Sequence, residues 1–142
     1  MEVDRNGLEV LDREECLRLL ATATLGRLGL TSGALPTVLP VNFRLDSERV
    51  LVRTGRGSKL DAATQNTVVA FEVDDFDPLF QSGWSVVIVG RAREVTDPAE
   101  LGSLSSVPLV RWAPPGDGHV VASSTEPVSG RRLAPGRAPE RK

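Results

Sequence analysis

The sequence predicts a mainly β fold, a small antiparallel β-barrel of five or six strands with a few short helices. The chain has 142 residues, enough for one domain with a single core, and 40% of them are hydrophobic, as in ordinary globular proteins. β-Branched runs follow one another after short turns. Because parallel strands need a long crossover connection, these short turns indicate antiparallel neighbours.

An amphipathic helix is expected to open the domain. Asp12 and Glu15 have the spacing of a capping box, in which side chains bond the free amides of the first helical turn. Leu17, Leu20 and Ala21 then recur at helical spacing. One face of this helix is therefore apolar and can pack on a core.

Strands are expected after this helix, because β-branched residues partly alternate with polar ones between turn signals. The predicted strands cover residues 24–31, 36–44, 49–54, 67–74 and 84–96, with a last strand near 119–124. Two further helical segments are expected at 58–65 and 97–103. In the second, Asp97 is the cap, Pro98 takes the first helical position and Glu100 completes a capping box.

Charge divides the chain into a negative body and a basic end. The net charge is −2, from 17 basic and 19 acidic side chains. Residues 1–127 hold 12 of the basic and 18 of the acidic side chains, so this part is not expected to bind nucleic acid. We expect one domain over residues 1–134 and a disordered basic tail over 135–142, where Pro and Gly lie among charges. A polyanion-binding arm is the alternative for the tail.

The side chains that serve metal, thiol and general-base chemistry are scarce. The single Cys16 excludes a disulfide framework, and the single His119 excludes a multi-histidine metal site. We expect Cys16 to be buried, whereas His119 follows a Pro/Gly loop from which it could approach a substrate. The acidic cluster of residues 72–77 lacks the glycine and glutamate of a calcium loop, so no metal is expected. Any catalysis is expected to belong to a bound cofactor, and no catalytic residue can be named.

Neither a membrane span nor a signal peptide is expected. No stretch reaches the roughly 18 apolar residues that a span needs. The charged N-terminus is not followed by the apolar run of a signal peptide. These patterns predict a cytoplasmic protein that does not bind membranes.

The segment best suited to ligand binding is the turn RTGRGSK at residues 53–59, where a strand is expected to end and a helix to begin. Its two glycines allow the backbone to approach a ligand, and Ser58 lies at the expected helix N-cap, where free amides attract anions. Arg53, Arg56 and Lys59 add three cations without an acid among them. In a negative body this pattern favours a phosphate, with an ordinary basic turn as the alternative.

Five short segments occur in an order that resembles one protein family. They are a Gly-Arg pair in the first strand, PVNF at 40–43, TGRGSK at 54–59, VAFEVD at 69–74 and GWSVV at 83–87. The order is similar to that of the pyridoxamine 5′-phosphate oxidase-like flavoproteins, and more narrowly to their small actinobacterial branch. The resemblance runs from about Leu11 to Leu133 and implies a split β-barrel of six antiparallel strands.

The resemblance also implies a homodimer that holds flavin mononucleotide (FMN) in a groove between two subunits. The apolar run at residues 86–89 agrees with this, because it gives one strand two apolar faces. A small barrel with a solvated exterior needs only one. The second apolar face therefore predicts a partner subunit.

The family's phosphate-binding residues are carried over by the resemblance onto the basic turn. Thr54, Ser58 and Lys59 correspond to the family's hydroxyl and cation positions. Arg53 and Arg56 are expected as their neighbours. The resemblance therefore assigns the cofactor phosphate to the segment that the charge pattern also favours.

Further positions are implied along the isoalloxazine ring of the flavin. Asn42 and Phe43 correspond to the family's ring-contacting strand, and an asparagine amide can both donate to and accept from the polar edge of the ring. An ordinary hydrogen-bonded sheet asparagine is the alternative for Asn42. Trp84 is expected beside the flavin or across the dimer interface, with core packing as the alternative. Gln81 and Ser82, which precede it, are also candidates for cofactor contact.

Three functions stay open on this fold. The first is an FMN-dependent oxidoreductase in which hydride passes between flavin N5 and a small-molecule substrate. The second is a non-catalytic flavin-binding protein for storage or sensing, favoured by the lack of a recognisable acid or base. The third is a reductase using the deazaflavin F420, whose phosphate the same turn could bind. Vitamin B6 oxidation is in doubt, because the family's Arg-x-His is replaced here by Arg131-Arg132-Leu133.

Overall fold

A computed structural model of the chain describes residues 1–55, 67–104 and 118–133. The elements in chain order are β1 (Glu9–Leu11), α1 (Arg13–Ala21), β2 (Leu25–Ser32), β3 (Leu35–Asp46), β4 (Arg49–Gly55), β5 (Thr67–Asp77), β6 (Ser82–Glu94), α2 (Pro98–Leu104), β7 (Gly118–Ser124) and β8 (Val128–Leu133). The predicted helix at 58–65 and the tail at 135–142 lie outside the described residues. The other predicted strands and helices are confirmed, with ends that differ by a few residues.

Six strands close into an antiparallel barrel in the order β6, β5, β2, β3, β4 and β7. The last residues of β6 pair with β7 and complete the ring, from Ala92↔Ser123 to Glu94↔Val121. The first half of β6 pairs on the same edge with β8, and β1 pairs with β8. The six-stranded barrel that the sequence predicts is therefore confirmed, and two further strands extend the sheet outside it.

The strands β1 and β8 are missing from the prediction, which is wrong on this point. β8 has the sequence VSGRRL, with a glycine and two arginines among few β-branched residues. It is a strand because its backbone pairs with β6, for example in Val86↔Gly130. A Cβ at Gly130 would lie only 2.6 Å from the Cys16 sulfur, so glycine is needed where the strand passes α1. β8 is therefore a strand because of its pairing with β6, and the strand propensity of its own residues does not predict it.

α1 packs against the barrel core. The Glu15 amide donates a hydrogen bond to Oδ1 of Asp12 at 2.8 Å, which confirms the predicted cap. Cys16, Leu19 and Leu20 are buried among the inward-facing barrel side chains. The predicted burial of Cys16 is confirmed, and this burial raises the pKa of its thiol.

The barrel interior is filled by alternate side chains of the six strands. Phe43 and Phe71 meet edge to face, with ring centroids 4.8 Å apart and ring planes at 70°. They are surrounded by Leu28, Leu30, Val41, Val50, Val52, Val69, Val73, Val86 and Ile88. Because successive residues of a strand face opposite sides of a sheet, the neighbours of these core residues lie on the outer face of the barrel.

α2 covers one part of the outer face. Its Leu104 packs with Leu51 of β4 and Val120 of β7 in a second apolar cluster. The Ala99 amide donates to Oδ1 of Asp97 at 3.1 Å, as the predicted cap requires. Within the described ranges, no helix is both long enough and apolar enough to cross a membrane.

Candidate functional site

Asn42 and Arg53 lie on the same outer face of the barrel, on neighbouring strands. Val41 and Phe43 point into the core, so Asn42, between them, lies on the outer face of β3. Val52 likewise points inward, which puts Arg53 on the outer face of β4. The β3–β4 ladder ends at Phe43↔Val52, and Asn42 and Arg53 are the next residue on each strand. The fold thus brings together two residues predicted to bind the cofactor.

Residues of the two flanking strands extend this pair into a row across four strands. Leu25 of β2 lies opposite Asn42, and Val120 of β7 lies opposite Arg53. Leu25 is an exposed apolar side chain. The outer face therefore presents the apolar side chain of Leu25, the amide of Asn42 and the guanidinium of Arg53 side by side on three neighbouring strands. This arrangement suits a ligand with an apolar ring and a charged end.

Arg53 carries a buried donor that has no acceptor. Among the described residues, its Nε is the fully buried side-chain nitrogen or oxygen that makes no hydrogen bond. A buried donor without an acceptor costs about 1–3 kcal/mol, and more when the group is charged. A structure that keeps such a group here is suited to a ligand that supplies the acceptor, and an anionic oxygen is the strongest one.

Phe43 and Thr54 lie on the inner side of the same strands. The Phe43 side chain is only 1% exposed, because its ring packs on Phe71 inside the barrel. Its amide donates to the Thr24 carbonyl at 2.9 Å. Thr54 is also buried and lies opposite His119 in the β4–β7 ladder. Of the predicted Asn42–Phe43 pair, Asn42 is the member that lies on the outer face of the barrel.

Trp84 lies apart from the Asn42–Arg53 row within one chain. β6 is three strands from β3 in either direction around the closed barrel, so the two strands lie on opposite sides of it. Trp84 is partly buried against the core and lines a groove of about 290 Å³. The other residues of this groove are Asp75, Asp77, Ser82, Gly83, Arg132 and Leu133. The predicted Ser82 therefore lies beside Trp84, whereas Gln81 lies in the preceding turn with a positive φ of 50°.

Arg56, Ser58 and Lys59 lie outside the described residues. β4 ends at Gly55, which is the last residue before this segment and lies two residues after Arg53. The predicted phosphate-binding turn therefore begins next to the row.

A larger groove opens directly beside Asn42, and sequence reasoning did not find it. Its volume is about 440 Å³, and it lies where the β2–β5 ladder stops at Arg27↔Glu72. It is lined by Thr22, Ala23, Thr24, Leu25, Gly26, Arg27, Pro40, Asp74 and Asp75. The one sequence signal for it is Gly26, a glycine inside a predicted strand. A Cβ there would lie 2.5 Å from the Phe71 ring.

The wall of this groove holds a shared ion pair. Nη1 of Arg27 donates to Glu72 at 3.0 Å and to Asp74 at 2.9 Å. Burial and a hydrogen bond with Asp74 raise the pKa of Glu72, although Arg27 opposes this shift. No cluster of His, Cys, Asp and Glu in the described parts of the chain is arranged to hold a metal ion.

An apolar strip crosses the outer face next to this groove. It consists of Val38, Gly29, Ala70 and Val89, which lie opposite one another on β3, β2, β5 and β6. Val38 is 66% exposed and Val89 is 42% exposed. These four apolar residues form one cross-strand row that curves around the barrel from β3 to β6. Exposed apolar patches of this kind can mark protein contacts.

Comparison with known proteins gives consistent matches. The family model described as pyridoxamine 5′-phosphate oxidase matches residues 12–132. An uncharacterised protein of Mycobacterium tuberculosis is 40% identical over 128 residues, which cover 87% of this chain and 84% of that protein. The structure of the FAD binding protein from Mycobacterium smegmatis superposes with a TM-score of 0.78 at 36% identity, over 88% of this chain and 99% of that one. A conserved protein of unknown function from Corynebacterium diphtheriae has a TM-score of 0.73 at 33% identity, over 89% of this chain and 98% of that one.

Proposed function

Because the chain belongs to the pyridoxamine 5′-phosphate oxidase family, we propose that it is a flavin-dependent oxidoreductase acting on a small-molecule substrate. The name of its Mycobacterium smegmatis relative, a FAD binding protein, supports a flavin as the cofactor. The family resemblance in the sequence implies FMN. FMN and FAD share the ring, the ribityl chain and the first phosphate, so both would make the same contacts with Asn42 and Arg53.

The buried Nε of Arg53 is the observation that carries this proposal. It is a charged donor that has no acceptor among the described residues, next to the start of the basic turn and one strand from Asn42. A phosphate oxygen would satisfy it with a charge-assisted hydrogen bond. The described residues therefore fit a phosphate-bearing ligand whose ring lies toward Asn42 and Leu25.

Each residue of the row has a separate task in this proposal. Arg53 holds the phosphate, together with Ser58 and Lys59 as the family resemblance implies, and with Arg56 as their neighbour. The Thr54 side chain, which is buried on the inner side of β4, is not part of this contact. Asn42 orients the ring through its amide, which can donate and accept at once. Leu25 supplies an apolar contact that excludes water from one side of the ring.

A bound flavin supplies hydride transfer at N5, which the side chains of this chain cannot perform. The chain's own residues would bind the flavin, orient it and exclude water from it. No general acid or base is assigned among them.

The proposal includes a homodimer, in which a second copy covers the apolar strip. The exposed Val38 and Val89 favour this dimer, because a partner that covers the row would remove their apolar surface from water. A dimer also accounts for Trp84, because β6 lies on the opposite side of the barrel from β3 within one chain. Trp84 of the second copy could then contact the same flavin.

The absorption spectrum of the purified protein, with mass spectrometry of the released ligand, tests the proposed cofactor. A yellow protein that releases FMN or FAD supports the proposal, and binding of added F420 alone would contradict it. Bleaching of the bound flavin by NADH or NADPH, followed by turnover with an electron acceptor, then separates an oxidoreductase from a protein that only stores or senses flavin.

A further inference from the structure

We propose that the 440 Å³ groove beside Asn42 is the substrate pocket and that it selects a small organic cation over an anion. This inference rests on the proposed function, because it takes Asn42 to mark the position of the flavin ring. It adds the chemical class of the substrate, which the names of the relatives do not supply.

The position of the groove fits a substrate pocket. Leu25 lies opposite Asn42 on the neighbouring strand. Pro40 lies two residues before Asn42 and on the same face of β3. Leu25 and Pro40 both line the groove. A substrate bound there would therefore lie next to a ring held at Asn42, as hydride transfer requires. The volume is within the range of small-molecule sites, roughly 300–1,000 Å³.

The groove exists because two strands separate. β2 and β5 pair from Gly29↔Ala70 to Arg27↔Glu72, and no further pairs follow toward Leu25 and Asp74. Gly26 is held against the Phe71 ring at this point. The opening is thus built from the ends of barrel strands together with the α1–β2 connection, which contributes Thr22, Ala23 and Thr24.

The charges on the groove wall favour a cation. Arg27 is the cation of the groove lining, and both Glu72 and Asp74 already bond its Nη1. Asp75 also lines the groove and makes no ion pair with any described residue. The wall therefore carries more negative than positive charge, so an anionic substrate is repelled and a cation is attracted.

Asp75 connects this groove to the one that holds Trp84. It lies opposite Trp84 in the β5–β6 ladder and lines both grooves. Arg132, on the second groove, is already paired with Glu15 at 2.6 Å and with Glu9 at 3.6 Å. A carboxylate that forms no ion pair with the described residues, beside an indole, is a favourable place for an ammonium group, because both attract positive charge.

Three ligands that share a phenyl ring and differ in charge test the inference. The protein as purified is titrated at neutral pH with benzylamine, benzyl alcohol and benzoate, and amide chemical shifts are followed by NMR. Benzylamine is expected to shift the amides of Leu25, Gly26 and Asp75 and to bind about fivefold more tightly than benzyl alcohol. Benzoate is expected to leave these amides unmoved.

Two charge-neutralising variants test whether Asp75 causes the preference for benzylamine. Asp75→Asn should abolish the preference for benzylamine, whereas Glu14→Gln, on the exposed face of α1, should keep it. Equal binding of benzoate, a preference that survives Asp75→Asn, or the absence of shifts at these amides would overturn the inference. A protein that still prefers benzylamine but binds neither FMN nor FAD when these are added would instead contradict the proposed flavin function, so the two failures are distinguishable.

Discussion

Gly26 shows how one residue shapes the groove. A Cβ at this position would lie 2.5 Å from the Phe71 ring, whereas at Gly29, on the same strand, the nearest atom would be 3.6 Å away. Gly26→Ala should lower the free energy of unfolding by about 1–3 kcal/mol, because the core ring must move. Gly29→Ala should be neutral or stabilising by up to about 1 kcal/mol. Urea denaturation of both variants measures this difference. Equal changes in the free energy of unfolding would mean that the Phe71 ring can move aside at little cost.

Glu15 makes stability depend on pH in the acid range. Its carboxylate bonds Arg18 and also Arg132 of β8, and these guanidinium groups lower the pKa of Glu15 to about 2. The folded protein therefore favours the charged form more than the unfolded chain does. This contribution is complete above the ordinary pKa of 4.5 and is lost as the pH falls toward 2.

Glu15→Gln tests this pH dependence. Wild-type stability should fall between pH 5 and pH 2, and the variant should show a smaller fall over the same interval, because glutamine does not titrate. Denaturant unfolding at a series of pH values measures both slopes. Parallel curves would show that Glu15 is not coupled to folding in this way.

At the scale of elements, the basic tail is expected to be separable from the domain. Deletion of residues 135–142 should leave the melting temperature and flavin affinity nearly unchanged, because this segment has little apolar surface to bury. Thermal unfolding and flavin titration of the truncated chain check this. A large fall in either quantity would show that the tail docks on the domain.

The elements that the sequence predicts are those with a local signal. The strands of the barrel alternate in hydrophobicity, and α1 has a cap and an apolar face, so their positions could be inferred from the chain. β8 and β1 have no such signal, because pairing with β6 alone makes VSGRRL a strand. Asn42 and Arg53 could be named from sequence, whereas the groove at Asp75 could not. It arises where β2 and β5, more than forty residues apart, stop pairing.

At the scale of the whole molecule, the apolar strip should hold two copies together. Val89→Asp places a charge on the apolar strip of the proposed interface and should convert the dimer to a monomer. Leu79→Asp, at an exposed apolar residue of the β5–β6 turn, is the matched control and should leave the dimer intact. Sedimentation velocity distinguishes these outcomes, and a wild-type monomer that binds one flavin per chain would rule out the shared site.

The central claim is that the outer row around Arg53 holds the phosphate of a flavin, and removal of that one guanidinium tests it. FMN and riboflavin share the same ring, but riboflavin has no phosphate. Arg53→Leu removes a buried donor without an acceptor, so the flavin-free protein should be as stable as the wild type or more stable. The same substitution should weaken FMN binding by about tenfold to a hundredfold, because a charge-assisted contact contributes roughly 1.5–3 kcal/mol.

Titration of FMN and riboflavin against wild type, Arg53→Leu and Lys59→Ala, followed by flavin fluorescence, is the most direct measurement. Both variants should lose most of the preference for FMN and keep riboflavin affinity within a small factor of the wild-type value. Equal weakening of FMN and riboflavin, or no weakening of either by Arg53→Leu, would contradict the placement of the phosphate at this row.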